Sequence, residues 1–487
     1  MKPANVLFII SDEHRRDALG CYGHPLVKTP HLDRLAARGV RFQSAYTNCP
    51  ICVPARASLA TGNYVHEIGY WDNAHPYEGR VRGWGHRLID DGHRVDVVGK
   101  LHYRDEKDDD GFTNKYMPLN VVDGIGDVLA SIRDEPPIRS GTREGITTAG
   151  PGESTYLDYD SRIADRSADW LREAAQQPTD KPWVLMSSFV CPHPPFVAPQ
   201  ELYDLYPLDQ IPLPPQYGMD ERPSHPTLDC FRKTLQYDRP FTDEEVRRVT
   251  AAYYGACTHL DQQIGKLLDV LDETGLAENT RIIYTSDHGE NMGTRGLWGK
   301  FTMYEESAGV PFIMAGPDVP QGEVCDDLVS LVDLYPTIVE GVGQSLTDEE
   351  KQKPGDSLWS VAQGDTLGRP AFCEYHAVGC RGALYMFREG NYKYVHYIDG
   401  PPQLFDLDAD PNELNNLAES AEHQAVLADL HSKLCDMIDP DDVDRQAKDA
   451  QETLINKYGG KEAVLQRGTF VNSPVPGEKV SIRQPNE

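Results

Sequence analysis

Four stretches of this chain are apolar almost without interruption, and each ends in chemically active residues. Asn5-Val6-Leu7-Phe8-Ile9-Ile10 runs into Ser11-Asp12-Glu13, and Val95-Asp96-Val97-Val98 into Gly99-Lys100-Leu101-His102. Trp183-Val184-Leu185-Met186-Ser187-Ser188-Phe189-Val190 leads to Cys191-Pro192-His193, and Arg281-Ile282-Ile283-Tyr284 to Thr285-Ser286-Asp287-His288-Gly289. Short continuous apolar runs of this kind predict strands buried on both faces. Between them lie segments of helical period, from about 161 to 177 and from about 243 to 273, where Val246, Val249, Leu260, Ile264, Leu267 and Leu271 mark one apolar face. Thr29-Pro30 predicts a helix start, Gly39 its stop, and Val40-Arg41-Phe42 a strand behind it. The alternation predicts an α/β fold with a mostly parallel central sheet flanked by helices. From about residue 365 the texture changes to short segments, 371–375, 383–388, 392–397 and 403–406, separated by Gly, Asn and Pro. These predict a small antiparallel sheet. The chain thus divides into a main domain over 1–364, a C-terminal α+β subdomain over 365–440 and a tail over 441–487, read as an oligomerisation arm.

In open α/β sheets ligands collect at the carboxyl ends of strands. An acid in that position either caps a helix or holds a cation, and for Asp12 and Glu13 taken alone the cap or a solvated loop is the better reading. Two such clusters, Asp12-Glu13 and Asp287-His288, can converge on one metal. Lys100 and His102 stand two apart in an extended segment and share a face. His193 is held among prolines. The chain from about 104 to 160, rich in Asp, Gly, Pro and Arg, predicts long surface loops of the kind that select substrates, with Asp108-Asp109-Asp110 solvated.

Cys49-Pro50-Ile51-Cys52-Val53-Pro54-Ala55-Arg56 precedes a helix-forming run closed by Gly62, which puts Cys52 at a helix N-terminus. There the dipole favours a thiolate or an anionic ligand, although a half-buried cysteine of no chemical consequence fits the same pattern.

Charge and cysteine usage narrow the function classes. The 487 residues carry a formal net charge of −30, which disfavours nucleic acid and anionic membrane as partners. No apolar run approaches the roughly 18 residues of a membrane span. Residues 1–4 lead directly into the first strand without a secretory leader, so a cytoplasmic location is expected. Ten cysteines without framework spacing read as reduced thiols.

Cys52-x-Pro54-x-Arg56, with Leu59, Thr61 and Gly62 behind it, resembles the signature of the type I sulfatases of the alkaline phosphatase superfamily, with Ala55 in place of the usual serine. Gly99-Lys100-x-His102, His193-x-Pro195-Phe196, Ser286-Asp287-His288-Gly289 and Lys300-x-x-x-Tyr304-Glu305 resemble further elements of that family, in its order. The resemblance implies an alkaline phosphatase-like sandwich and hydrolysis of a sulfate monoester, aryl or alkyl. It implies that a maturation enzyme oxidises Cys52 to formylglycine, whose hydrate is the nucleophile. It implies one divalent cation on Asp12, Glu13, Asp287 and His288, calcium first, with manganese or magnesium as alternatives. Glu13 replaces the usual aspartate and His288 the frequent asparagine. Arg56, Lys100, His102, His193 and Lys300 become catalytic candidates, and Asn73, Lys100, His193 and Lys300 substrate contacts. The arginine frequent before Val310-Pro311 is replaced by Gly309, so one structural or charge contact is expected to be missing there. A phosphonate monoester or phosphodiester hydrolase with the same apparatus is the alternative; the Lys100/His102 pair speaks for sulfate.

Overall fold

The computed structural model describes residues 2–484. Among them nine strands form one sheet. In spatial order its strands are Glu323–Ser330, Gly39–Tyr46, Phe312–Ala315, Thr280–Ser286, Asn5–Asp12, Val184–Pro192, Val95–Lys100 and Asn114–Leu119, with Gly309–Val310 paired beside Gly39–Tyr46. The neighbours from Thr280–Ser286 to Asn114–Leu119 are all parallel, whereas Phe312–Ala315 runs against both its partners.

Period-two alternation divides the central strand between two cores. Val6, Phe8 and Ile10 face a layer that includes Trp84, Leu334, Ile338 and Trp359. Leu7 and Ile9 face Ile163, Trp170, Leu260 and Ile264. Every residue of Asn5–Asp12, Val95–Lys100, Val184–Pro192 and Thr280–Ser286 is buried, which is why these segments are mostly apolar. The helix Asp243–Thr274 starts at a Thr242/Glu245 capping box and ends at Gly275, as its period predicts. The helix Thr155–Gln176 begins about six residues before the expected 161, because Ser154 accepts from the Tyr156 amide and caps it there.

Two local expectations change. The presumed loops after residue 104 contain the strand Asn114–Leu119, which pattern did not reveal because it is a half-buried edge where Pro118 is tolerated. Asp110 is buried and paired with Lys115 at 2.9 Å, not solvated. Nearby, His75 Nδ1 lies 2.6 Å from Asp72 Oδ1.

The small antiparallel sheet comprises Ala371–Tyr375, Leu384–Glu389, Tyr392–Tyr397 and Gln403–Asp406, in sequence order. It docks edge-on beside the loop before Cys52: the Glu374 amide donates to the Asn48 carbonyl, and Glu374 Oε1 accepts from the His66 amide and lies 2.9 Å from His66 Nδ1. The helices Pro440–Lys457 and Lys461–Arg467 pack back on their own chain, where Asp444 pairs with Arg133 and Gln451 donates to Asp72. All ten cysteines are unpaired, Cys373 and Cys380 included. No helix among the described residues is long and apolar enough to cross a membrane.

The His66–Glu374 contact makes docking of the small sheet pH-dependent. Burial alone would lower the His66 imidazole, but Glu374 outweighs it and raises its pKa above 6.5. That contribution is present below pH 6.5 and is lost as pH rises through the higher folded value. His66→Gln is expected to cost about 1 kcal/mol near pH 6 and less at pH 8.5, measured by urea unfolding at both pH values; an equal cost at both would refute the charged pair.

Candidate functional site

All four predicted strand ends meet at the carboxyl edge of the sheet. Asp12 closes the first strand, Lys100 closes Val95–Lys100, His193 follows Val184–Pro192, and Asp287 and His288 follow Thr280–Ser286. The helix Cys52–Thr61 points its N-terminus into the same place, with extended Ile51 as N-cap and Gly62 in the left-handed region at its C-terminus. A side chain at Gly62 would also run into Tyr335. Gly289 is required by a close approach: a Cβ there would collide with the Glu306 carbonyl oxygen.

Arg56, one turn into the helix, ties these elements together. Its Nε donates to Asp287 Oδ2 at 2.7 Å, its Nη1 to the Lys100 carbonyl and Ser188 Oγ at 3.0 Å each, and its Nη2 lies 3.5 Å from Asp12 Oδ2. Burial would weaken the guanidinium's charge, but Asp287 and Asp12 outweigh it. Lys100 Nζ bonds the same Asp12 oxygen.

Asp12, Cys52, Asp287 and His288 bring one ligand atom each within 4.8 Å of one another. The His288 Nδ1 lies 3.1 Å from the Gly289 carbonyl and donates to it, which turns Nε2 toward Asp12 Oδ1 at 3.7 Å and Asp287 Oδ1 at 3.6 Å. Two carboxylates and an imidazole, all fully buried, fit a divalent cation. Glu13 sits to one side. Its carboxylate groups with Asp12 and His193, its Oε2 takes Lys300 Nζ at 2.6 Å, and its Oε1 has no partner among the described residues. The expected four ligands therefore form two overlapping groups that share Asp12. The backbone of Glu13 is in the left-handed region, with its amide donating to Asp287 Oδ1 at 3.2 Å and its carbonyl accepting from Tyr253 at 2.8 Å. A buried hydroxyl needs a partner, and for Tyr253 that partner is the Glu13 carbonyl.

The thiol at Cys52 departs from the helix-dipole expectation. Burial and Asp12 push it up to about 12, against the pull of Lys300 and Lys100. A few partial charges at a helix end do not offset complete desolvation beside carboxylates. Its Sγ stands 3.2 Å from His288 Nε2. Burial raises the Asp12 carboxyl, but Lys100 and Arg56 outweigh it and hold its pKa well below the usual range. Burial, with Glu290 adding and Lys300 opposing, raises Glu13. Burial and Lys300 lower His193, and burial and Lys100 lower His102, so both imidazoles are neutral.

A cavity of about 130 Å³ opens over these groups, with Cys52, Asn73, Lys100, His102, His193 and Lys300 in its wall. Asn73 accepts the Val53 amide at 3.2 Å, so it also serves the helix N-terminus. The guanidinium of Arg16, which pairs with Glu305, lies 3.1 Å from where a Cβ at Gly309 would stand. Sequence reasoning missed Ser188, Glu290, Arg139 and the tail residues 469–473, which reach the site only through tertiary folding and carry no motif.

The sequence profile of the sulfatase family matches residues 4–343, and that of the C-terminal part of N-sulphoglucosamine sulphohydrolase matches 293–439. The chain is 33% identical over 435 residues to a choline-sulfatase of Rhizobium meliloti (strain 1021), covering 85% of this chain and 82% of that protein. It is 30% identical to arylsulfatase K of Canis lupus familiaris, over 85% and 79% of the two chains. Among solved structures it is similar to the phosphonate monoester hydrolase SpPMH from Silicibacter pomeroyi, with a TM-score of 0.73 and 25% identity over 89% of this chain and 95% of that one. With buried acids, cations and a helix-borne cysteine at one sheet edge and the family's profile spanning the main domain, this chain belongs to the sulfatase family of hydrolases.

Proposed function

We propose that this protein hydrolyses a sulfate monoester in the cavity above Cys52, with position 52 matured to formylglycine and one divalent cation held by Asp12, Asp287 and His288, with Glu13 at its flank. The observation that carries this reading is the convergence of Cys52, three metal-competent side chains and two lysines on one buried point. Formylglycine supplies a hydrated nucleophile, and the cation supplies Lewis-acid polarisation of an oxygen. The raised thiol at Cys52 supports this reading, since an unmodified cysteine there is a poor nucleophile at neutral pH.

The chain's own groups bind and move protons. Lys100 and Lys300 flank the cavity as cations that receive the equatorial oxygens of the ester, each such contact worth about 10²–10³ in rate. Arg56 holds Asp287 and Asp12 in place and fixes the helix that carries position 52. His193 is assigned to protonate the departing alcohol oxygen. Its Nδ1 is 2.7 Å from the Pro194 carbonyl, which fixes the ring and leaves Nε2 for the transfer. Burial, with Lys300 adding to it, otherwise keeps this imidazole neutral, and the bound anionic ester offsets the Lys300 part. His102 is assigned to accept the proton whose removal releases sulfate. Asn73 borders the transferred group. Calcium is the first choice of ion, with manganese or magnesium admitted by the His288 nitrogen.

A phosphonate monoester hydrolase activity is the second reading, supported by the likeness to SpPMH. Lys100 and His102 in the cavity wall favour sulfate. Side-by-side kcat/KM values for 4-nitrophenyl sulfate and 4-nitrophenyl phenylphosphonate are expected to favour the sulfate ester; a preference for the phosphonate would exchange the two readings.

Cys52→Ala is expected to lower kcat by at least about four orders of magnitude with an unchanged thermal midpoint. The tryptic peptide containing residue 52 should weigh about 18 Da less than its cysteine form; an unmodified thiol in active protein would sink the assignment. Dialysis against a chelator should abolish turnover, and readdition of a divalent cation should restore it. Full activity in exhaustively chelated, metal-analysed protein would remove the cation from the site.

A further inference from the structure

We propose that Ser473 is a positioning residue for His102. Its Oγ accepts the Nε2–H of the imidazole, fixes that tautomer, and leaves Nδ1 as the proton-accepting nitrogen at the cavity. This rests on the assignment of His102 as proton acceptor.

His102 Nε2 and Ser473 Oγ are 2.8 Å apart across 371 residues of sequence. The other ring nitrogen, Nδ1, is buried and has no partner among the described residues. A neutral imidazole carries one N–H. In the Nδ1–H tautomer that hydrogen would be a buried orphan donor, the rarer and costlier deficit. In the Nε2–H tautomer the donor is satisfied by Ser473, and Nδ1 keeps a free lone pair, which is what a base requires. The His102 backbone is held in the left-handed region at φ 59, with its amide donating to the Leu119 carbonyl at 2.8 Å. Such strain in a non-glycine residue costs about 1 kcal/mol or more and persists only where the surroundings enforce it.

Ser473 is itself fixed. It is buried, and its carbonyl accepts the Tyr156 hydroxyl. Upstream, Thr469 exchanges two backbone hydrogen bonds with Arg483, at 2.8 and 2.7 Å, and donates its hydroxyl to Asp127. Residues 469–473 line the same cavity as Cys52 and Lys100. The polar tail thus completes the site of its own chain.

The test uses the full chain with histidine-selective ¹⁵N labelling, His102→Gln serving to identify the His102 resonance. The wild type should show a protonated Nε2 and a bare Nδ1. Ser473→Ala should lose that single tautomer and lower kcat for 4-nitrophenyl sulfate by about tenfold, a fraction of the 10²–10⁴ that a positioned base is worth, with KM within about twofold. Ser473→Thr, which keeps the hydroxyl, should restore both. A wild-type Nδ1–H tautomer, or a Ser473→Ala protein with tautomer and kcat unchanged, would overturn the proposal. The tautomer is read without turnover, so failure to hydrolyse any sulfate ester would defeat the functional reading while the NMR result still decides the hydrogen bond.

Discussion

One guanidinium holds the site together. Arg56 bonds to groups at the ends of four different strands, through Asp12, the Lys100 carbonyl, Ser188 and Asp287, and does so from the helix that begins at Cys52. It is fully buried, so each bond stands in place of water that the side chain has given up. Removing one partner of such a buried ion pair typically costs about 3–5 kcal/mol, because the remaining charges are left uncompensated. The register of the central strands, the placement of residue 52 and the spacing of the metal-competent acids are therefore one constraint.

Around that arginine the charges are arranged against the character of the whole molecule. A chain of net charge −30 repels anions at a distance, yet its cavity presents Lys100 and Lys300 beside carboxylates that a cation would neutralise. Burial is the largest influence on every shifted group there, and it acts on Cys52 in the opposite sense to the helix dipole. A second buried ionic cluster lies behind the site, where Glu305 pairs with Arg16 and Lys393, and Lys393 also pairs with Glu413 at 2.6 Å. It links the loop after the first strand to the small sheet. Its Arg16 guanidinium lies beside Gly309, nearly three hundred residues away in sequence.

The small antiparallel sheet and the tail complete the site from the side opposite the main sheet. Glu374 binds the His66 backbone and ring, Gln451 donates to Asp72, and Asp72 precedes Asn73, which accepts the Val53 amide. A chain of direct contacts thus runs from the C-terminal third of the protein to the helix that carries position 52.

Sequence alone determined the elements whose physics is local or periodic. Fully apolar strands, amphipathic helices and the Cys52 helix with its Gly62 stop were all legible, because burial on both faces and helical period leave direct marks on composition. The family signature added an order of motifs that pattern alone does not supply. What only the tertiary structure decided depends on desolvation or on contacts between distant segments. The Cys52 thiol is raised because burial beside Asp12 outweighs a dipole that the sequence could see. Glu13 is drawn toward Lys300 and His193, and Tyr253 supports its turn, because strand register sets those distances. The Asn114–Leu119 edge strand escaped detection because an edge need not be apolar. Ser473 carries no motif and sits in a polar tail; its place against His102 arises from the path of the folded chain, which residue pattern does not encode.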